Sequence, residues 1–243
     1  GEMVIIDHDG VQSLRPFPRR PRRACIHELV DFSRPDSTVF GRPVYDFRHE
    51  LGQTAAEENA VPADVVIPVP DSGIPGALGY SQVSGIQYGV GLIRSHYIGR
   101  RYIEPSQQIR DFGVKLKLSP VRSVIDGKRV VVVDSALVRG ATLKKVVRML
   151  RQQGATEIHV RITAPPTVAN CFCGTEAPVA NEVIATRMRV EDITKYLDAD
   201  SLAYLSLAGL RQVEGGDQGR FCEACFTAEY PVDPRPDRLH RQM

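Results

Sequence analysis

The sequence predicts an α/β domain built on a mostly parallel sheet that is flanked by helices. Short apolar runs rich in β-branched residues, which are typical of buried strands, alternate with longer segments of helical spacing. This alternation favours parallel strands that are connected by helices. A chain of 243 residues is also long enough to bury a sizeable core in one or two domains.

Each element follows from its local sequence. Apolar residues at helical spacing predict three helices, over residues 44–60, 73–85 and 142–153. Apolar runs predict four strands, over residues 65–69, 88–93, 129–134 and 157–163. Residues 96–120 combine many charges with Gly and Pro, which predicts a long mobile loop around a short helix.

The chain divides into three predicted regions. Residues 1–24 form an N-terminal strand and a basic connector, residues 25–215 form the main domain, and residues 216–243 form a cysteine-bearing segment and a tail. The connector is broken by prolines, so we expect it to be extended and not helical. Its composition is typical of a solvated linker, with an anion-binding arm as the alternative.

The composition of the chain limits which partners and which cellular compartment we expect for it. The formal net charge of +2 predicts neither a nucleic-acid partner nor a membrane partner. Apolar runs stay well short of the roughly 20 residues that a membrane-spanning helix needs. Five cysteines, an odd number, argue against a disulfide scaffold and favour a metal or cluster role in a reducing, cytoplasmic compartment.

Two polar loops follow predicted strands. Asp71, Ser72 and Gly73 come after the first strand of the domain, and a second loop runs from Asp134 to Thr142. Ligands of parallel sheets bind beyond the carboxyl ends of the strands, so both loops are expected at one rim. Backbone N–H groups in such turns suit phosphate, and the pair could hold the two ends of a doubly phosphorylated sugar.

The charged segment 97–117 is rich in cationic and amide donors, including Arg100 and Lys117. A mobile loop of this composition could close over an anionic substrate and exclude water from it. The alternative is a surface loop whose charges are solvated.

The chain resembles the phosphoribosyltransferase half of the amidophosphoribosyltransferase family over nearly its whole length. Besides the Asp134 loop, four segments carry the resemblance: residues 2–6, 25–37 with Ser-Arg-Pro-Asp-Ser, 67–80 with Pro-Asp-Ser-Gly, and 97–118. The resemblance implies a type I phosphoribosyltransferase fold. It also implies phosphoribosyl pyrophosphate as substrate, with Mg²⁺, and displacement of pyrophosphate by ammonia to give phosphoribosylamine.

The same resemblance implies roles for individual residues. Pyrophosphate and its metal are assigned to the first loop, the 5′-phosphate to the second loop, and a ribose hydroxyl to Asp134. The implied substrate-binding residues are Asp71, Ser72, Gly73, Ser135, Arg139, Gly140 and Thr142. The implied catalytic residues are Asp134, Arg100 and Lys117, and the implied Mg²⁺ ligands are Ser72 and Asp134.

The second loop departs from the family pattern, which has Asp-Asp-Ser-Ile-Val-Arg-Gly-Thr-Thr. Here Ser135 replaces the second carboxylate, and Ala136 and Ala141 replace hydroxyl residues. Losing one charged and two neutral hydrogen-bonding groups costs on the order of 4 kcal/mol, or about a thousandfold in affinity. The substitutions therefore predict weakened substrate binding. They also support an alternative function, a non-catalytic relative that binds a phosphosugar or nucleotide as a regulatory or assembly subunit.

The cysteines predict a metal centre. Four thiolates suffice for zinc or for a [4Fe–4S] cluster, and their spacing leaves both open. The family resemblance implies a structural [4Fe–4S] cluster held by Cys25, Cys171, Cys222 and Cys225. Cys173 is then the extra cysteine, expected to act as a small buried hydrophobe.

Further partners follow from the resemblance. The family's glutaminase domain begins with a nucleophilic cysteine, and this sequence has no cysteine near its start. We therefore expect ammonia to come from solution or from a separate glutaminase subunit. Purine nucleotides are expected as inhibitors, and the family assembles as homo-oligomers.

Overall fold

The computed structural model describes residues 2–19, 21–94, 118–171, 182–216 and 219–232. In chain order the strands are β1 (Met3–Asp7), β2 (Gly10–Leu14), β3 (Ala24–Cys25), β4 (Thr38–Val39), β5 (Arg42–Pro43), β6 (Val65–Pro68), β7 (Leu92–Arg94), β8 (Leu118–Pro120), β9 (Arg129–Asp134), β10 (Glu157–Ile162), β11 (Ser201–Tyr204) and β12 (Phe221–Cys222). The α-helices are α1 (Val44–Asn59), α2 (Gly73–Ser84), α3 (Arg122–Ile125), α4 (Ala141–Gln152), α5 (Val190–Leu197), α6 (Leu207–Glu214) and α7 (Ala224–Thr227). A π-helical turn spans Glu28–Phe32 and a 3₁₀ turn spans Ile184–Thr186.

The centre of the fold is a four-stranded parallel sheet in the order β11-β10-β9-β6. Val132 in β9 pairs with Val160 in β10 and with Ile67 in β6, and all three side chains are fully buried. Strands that are apolar on both faces belong in a sheet with helices on both sides. This confirms the predicted α/β architecture and three of the four predicted strands to within a residue.

Helices α1 and α2 touch backbone to backbone. A Cβ built on Gly52 would lie 1.9 Å from the Gly76 carbonyl oxygen, and one on Gly79 would lie 2.0 Å from the His49 carbonyl oxygen. Only glycine permits so close an approach. The contact fixes the start of α2, and with it the loop that leads out of β6. Helices α1, α2 and α4 agree with their predicted spans to within about one residue.

The predicted strand over 88–93 is only partly correct, because it is not continuous. Tyr88 makes a single parallel bridge to Val66, and the regular strand is β7, which pairs antiparallel with β8 in a separate small sheet. Gly89 and Gly91 lie flat against side chains of β6: their Cβ atoms would be 2.8 Å from Val65 and 2.6 Å from Ile67. This packing replaces a continuous ladder. Leu118, which was predicted to lie in the mobile loop, begins strand β8.

The two ends of the domain are less regular. β1 and β2 form an antiparallel hairpin whose residues are all exposed, so the predicted N-terminal strand is one arm of a hairpin. The described connector residues 15–19 and 21–23 lie outside helices and strands, as predicted. Across the described parts of the chain, no helix is both long and apolar enough to cross a membrane.

Candidate functional site

The loop between β6 and α2 is fixed by its backbone. Val69 N–H donates to the Val133 carbonyl at 2.8 Å, and Gly73 N–H donates to the Val69 carbonyl at 3.0 Å. A Cβ on Gly73 would lie 2.6 Å from the Val133 carbonyl oxygen, so a side chain there would force the backbone to shift. Asp71 and Ser72 are therefore held beside the carboxyl end of β9, as the sequence predicts.

Asp71 has a cationic partner that sequence analysis did not identify. Its carboxylate forms an ion pair with the Arg94 guanidinium, and about half of each side chain is exposed to solvent. Arg94 ends β7 and directly precedes residues 95–117, which lie outside the described residues. The first loop therefore carries a solvent-accessible positive charge next to its carboxylate. The predicted catalytic residues Arg100 and Lys117 also fall outside the described residues.

The second loop begins at Asp134, the last residue of β9. Its carboxylate accepts the Ser135 N–H at 2.9 Å, and its carbonyl accepts the Thr163 N–H at 3.0 Å. Burial of the carboxyl group, reinforced by the nearby Asp31 carboxylate, raises its pKa from 3.8 to about 7. A cation or a hydroxyl donor that binds beside this carboxyl group would stabilise its ionised form.

Ser135 joins the two loops. Its side chain is buried, and its hydroxyl donates to the Asp31 carboxylate and lies 2.9 Å from the Ser72 hydroxyl oxygen. Asp31 comes from the π-helical turn, 104 residues away in the chain. No local pattern could have linked Asp31 to this site, because the contact exists only in the folded chain.

The remaining predicted residues of the second loop lie at the N-terminus of α4. Gly140 caps the helix at φ 78°, a left-handed conformation that favours glycine. Arg139 pairs with Glu182 at 2.6 Å, and both side chains are largely exposed. Thr142 lies exposed in the first turn. Backbone N–H groups in the first turn of a helix suit an anion, and the phosphate predicted here from the sequence stays a prediction.

The four predicted cluster cysteines come together from three segments. Cys25 pairs in register with Cys222 across β3 and β12, and the Cys225 carbonyl accepts the Val168 N–H at 2.8 Å. Cys171 lies close enough to interact electrostatically with Cys25 and Cys225. Cys25, Cys222 and Cys225 are free thiols, and Cys173 lies outside the described residues.

Burial governs the acidity of these thiols. It raises the pKa of Cys25, and it raises the pKa of Cys225 to about 12, with neighbouring thiols adding to the effect. Among the residues that the structure describes, no three His, Cys, Asp or Glu side chains are arranged to hold a metal ion. Ligands of a cluster bind separate iron atoms, so they need not converge on one point as ligands of a single ion do.

Comparison with known proteins gives a consistent result. Residues 51–166 match the family model described as "Phosphoribosyl transferase domain". The chloroplastic amidophosphoribosyltransferase 2 of Arabidopsis thaliana is 53% identical over 241 residues, which make up 99% of this chain and 43% of that protein.

Two solved structures agree over 98% of this chain. Glutamine phosphoribosylpyrophosphate amidotransferase from B. subtilis, complexed with ADP and GMP, is 46% identical with a TM-score of 0.84, and 53% of it is covered. A structure described as the allosteric regulatory enzyme of purine biosynthesis is 45% identical with a TM-score of 0.85, and 52% of it is covered. The chain thus spans about half the length of the proteins it matches. It has the type I phosphoribosyltransferase fold, and it is homologous over nearly its whole length to about half of the length of amidophosphoribosyltransferases.

Proposed function

We propose that this chain catalyses the formation of phosphoribosylamine from phosphoribosyl pyrophosphate and ammonia, as in purine biosynthesis. The observation that carries the proposal is that the loop after β6 and the loop after β9 meet at one rim of the sheet. Their contact is between the hydroxyl groups of Ser72 and Ser135. Homology to amidophosphoribosyltransferases over nearly the whole chain supports the same substrate.

The reaction breaks the bond between C1 of the ribose and the pyrophosphate oxygen, and it forms a bond from C1 to the ammonia nitrogen. Ammonia loses a proton and pyrophosphate leaves with the bonding electron pair. The transition state has positive charge on the ribose, so the protein acts mainly by positioning and by charge. We assign the pyrophosphate to Asp71 and Gly73, and the 5′-phosphate to Arg139, Gly140 and Thr142.

Mg²⁺ would be held by Ser72 and Asp134. The donor set fits a hard cation, which prefers hydroxyl, carboxylate and water oxygens. The raised pKa of Asp134 supports a cation at this position, because positive charge offsets the cost of a buried carboxylate. When bound, Mg²⁺ neutralises charge on the departing pyrophosphate. Asp134 keeps its role toward a ribose hydroxyl.

Pyrophosphate release tests the proposal. The protein would be incubated with phosphoribosyl pyrophosphate, Mg²⁺ and ammonium at high pH, beside Asp134→Ala and the surface control Asp46→Ala. We expect ammonium-dependent release by wild type and the control, and a large loss in Asp134→Ala. Release at background level by wild type would contradict the proposal. Calorimetric binding without turnover would instead support the non-catalytic alternative.

We further propose a structural [4Fe–4S] cluster on Cys25, Cys171, Cys222 and Cys225. The thiols come from both ends of the described chain, so a cluster would tie those ends to the domain. Anaerobic purification is expected to give brown protein with about four iron and four sulfide per chain. Cys225→Ser should lose both, while the matched control Cys173→Ser keeps them. Zinc in place of iron, or the absence of metal, would contradict this proposal.

The remaining partner assignments rest on the relatives. Because the B. subtilis structure is a complex with ADP and GMP, we propose purine nucleotides as inhibitors of this chain. We also propose homo-oligomeric assembly and a separate glutaminase subunit, which the family resemblance implies, and a reducing, cytoplasmic compartment, which the cysteine content favours. Inhibition of pyrophosphate release by ADP with GMP is the measurement that checks the regulatory part.

A further inference from the structure

Ser135 stands where the family pattern has its second carboxylate, yet the structure brings a carboxylate to it from elsewhere. We propose that Asp31 supplies the second acid of the ribose site, so that the negative charge missing at position 135 is provided from a distant segment. The inference rests on the proposed function, because it assigns a residue to the same substrate site.

The contacts of Ser135 carry the inference. Its hydroxyl donates to the Asp31 carboxylate, and its backbone N–H donates to the Asp134 carboxylate at 2.9 Å. Two carboxylates therefore flank one buried serine, and the same hydroxyl lies 2.9 Å from Ser72. Through Ser135, Asp31 is thus connected to Ser72 and Asp134, the two residues assigned to Mg²⁺. About a third of its side chain is exposed, so a ligand can reach it.

The segment that carries Asp31 is firmly anchored. Leu29 and Val30 in the π-helical turn are fully buried in the core. The buried Arg48 guanidinium donates to the Leu29 carbonyl at 2.9 Å and to the Ser33 carbonyl at 2.7 Å. These bonds hold the backbone of the turn on either side of Asp31.

The Asp31 carboxylate can also accept further hydrogen bonds from a ligand. One carboxylate oxygen accepts the Ser135 hydroxyl, and the other lies 4.0 Å from His27 Nε2, beyond ordinary hydrogen-bonding distance. Two adjacent carboxylates with unused oxygens suit a vicinal diol, because each can accept charge-assisted hydrogen bonds.

The proposal makes an unusual prediction for the simple reversion. Ser135→Asp would place a third carboxylate against Asp31 and Asp134, where like charges repel. We therefore expect this single change to leave substrate binding no tighter than in wild type. Asp31→Asn combined with Ser135→Asp returns the count to two carboxylates, with the acid in its family position.

Calorimetric titration with phosphoribosyl pyrophosphate and Mg²⁺ tests whether Asp31 replaces the carboxylate missing at position 135. Asp31→Asn should weaken binding about tenfold or more, whereas the exposed control Asp46→Asn should not change it. The double variant should regain most of that loss, which a merely structural role for Asp31 does not predict. Thermal melting checks that each variant is folded.

Each outcome decides the matter. Wild-type affinity in Asp31→Asn, or a double variant no tighter than Asp31→Asn, would overturn the inference and leave the proposed function standing. Tighter binding by Ser135→Asp alone would also overturn it, and this holds even if Asp31→Asn does not fold. A wild-type protein that fails to bind phosphoribosyl pyrophosphate would overturn both.

Discussion

The two rim loops differ in what holds them. The loop from Val69 to Gly73 is fixed by backbone contacts with β9, and a side chain at Gly73 would collide with the Val133 carbonyl oxygen. The loop after Asp134 depends on side chains, and its hydroxyl at Ser135 takes a partner, Asp31, from another part of the chain. The first loop matches the family pattern, whereas the second departs from it at Ser135, the residue whose side chain takes a partner from a distant segment.

The largest expected effect comes from Asp134. Its pKa is about 7 in the folded protein and 3.8 as the reference value, so the folded state binds the extra proton between those values. The contribution of Asp134 to stability therefore falls as pH rises, by about 4 kcal/mol over the whole window and by about 3 kcal/mol between about pH 5 and about pH 8, and Asp134→Asn should remove this contribution. Urea unfolding without Mg²⁺ at about pH 5 and about pH 8 measures it.

Asp64 supplies the control for this pH dependence. The pKa of Asp64 is lowered to about 2 by its hydrogen bonds to Arg129, so it titrates below the window. Asp64→Asn should therefore leave the change in stability between the two pH values as in wild type. An Asp134→Asn variant with the wild-type pH dependence would show that its carboxyl group is not desolvated.

The next effect concerns the backbone-determined loop. Gly73→Ala forces a Cβ against the Val133 carbonyl, and we expect a loss of about 3 kcal/mol in the free energy of unfolding. Gly76→Ala is the matched control, since its Cβ would meet the Thr163 methyl at 3.0 Å, a side chain that can move. It should cost about 1 kcal/mol or less. Equal losses in the two variants would contradict a backbone-determined loop.

The smallest effect on stability is expected at the surface of the second loop. The exposed pair of Arg139 and Glu182 should contribute less than about 1 kcal/mol, so removing either side chain has little effect on unfolding. Their effects on ligand binding should be opposite: Arg139→Ala weakens binding of ribose 5-phosphate, and Glu182→Ala preserves or tightens it. Calorimetry compares the two, and a parallel loss in both variants would argue against a phosphate role for Arg139.

The sequence was sufficient for elements with strong local patterns. The buried run of β9 and the apolar stripe of α4, with Leu143 and Leu150, gave correct boundaries to within about a residue. The strand predicted over 88–93 is interrupted because Gly89 and Gly91 pack flat on β6, a tertiary contact with no local signature. Residues 182–216, which include α5, β11 and α6, received no specific prediction.

The candidate site divides in the same way. Asp71, Gly73, Asp134 and Gly140 were predictable because each follows a strand or begins a helix at the carboxyl rim. Asp31, Arg94 and Glu182 were not, since each reaches the site through a contact far along the chain.

The most direct test of a second acid provided by Asp31 is kcat/KM for phosphoribosyl pyrophosphate in ammonium-dependent pyrophosphate release. Asp31→Asn should lower it about tenfold or more, and the added Ser135→Asp change should recover most of that loss. A double variant that is no faster than Asp31→Asn would contradict the exchange of the carboxylate between positions 135 and 31.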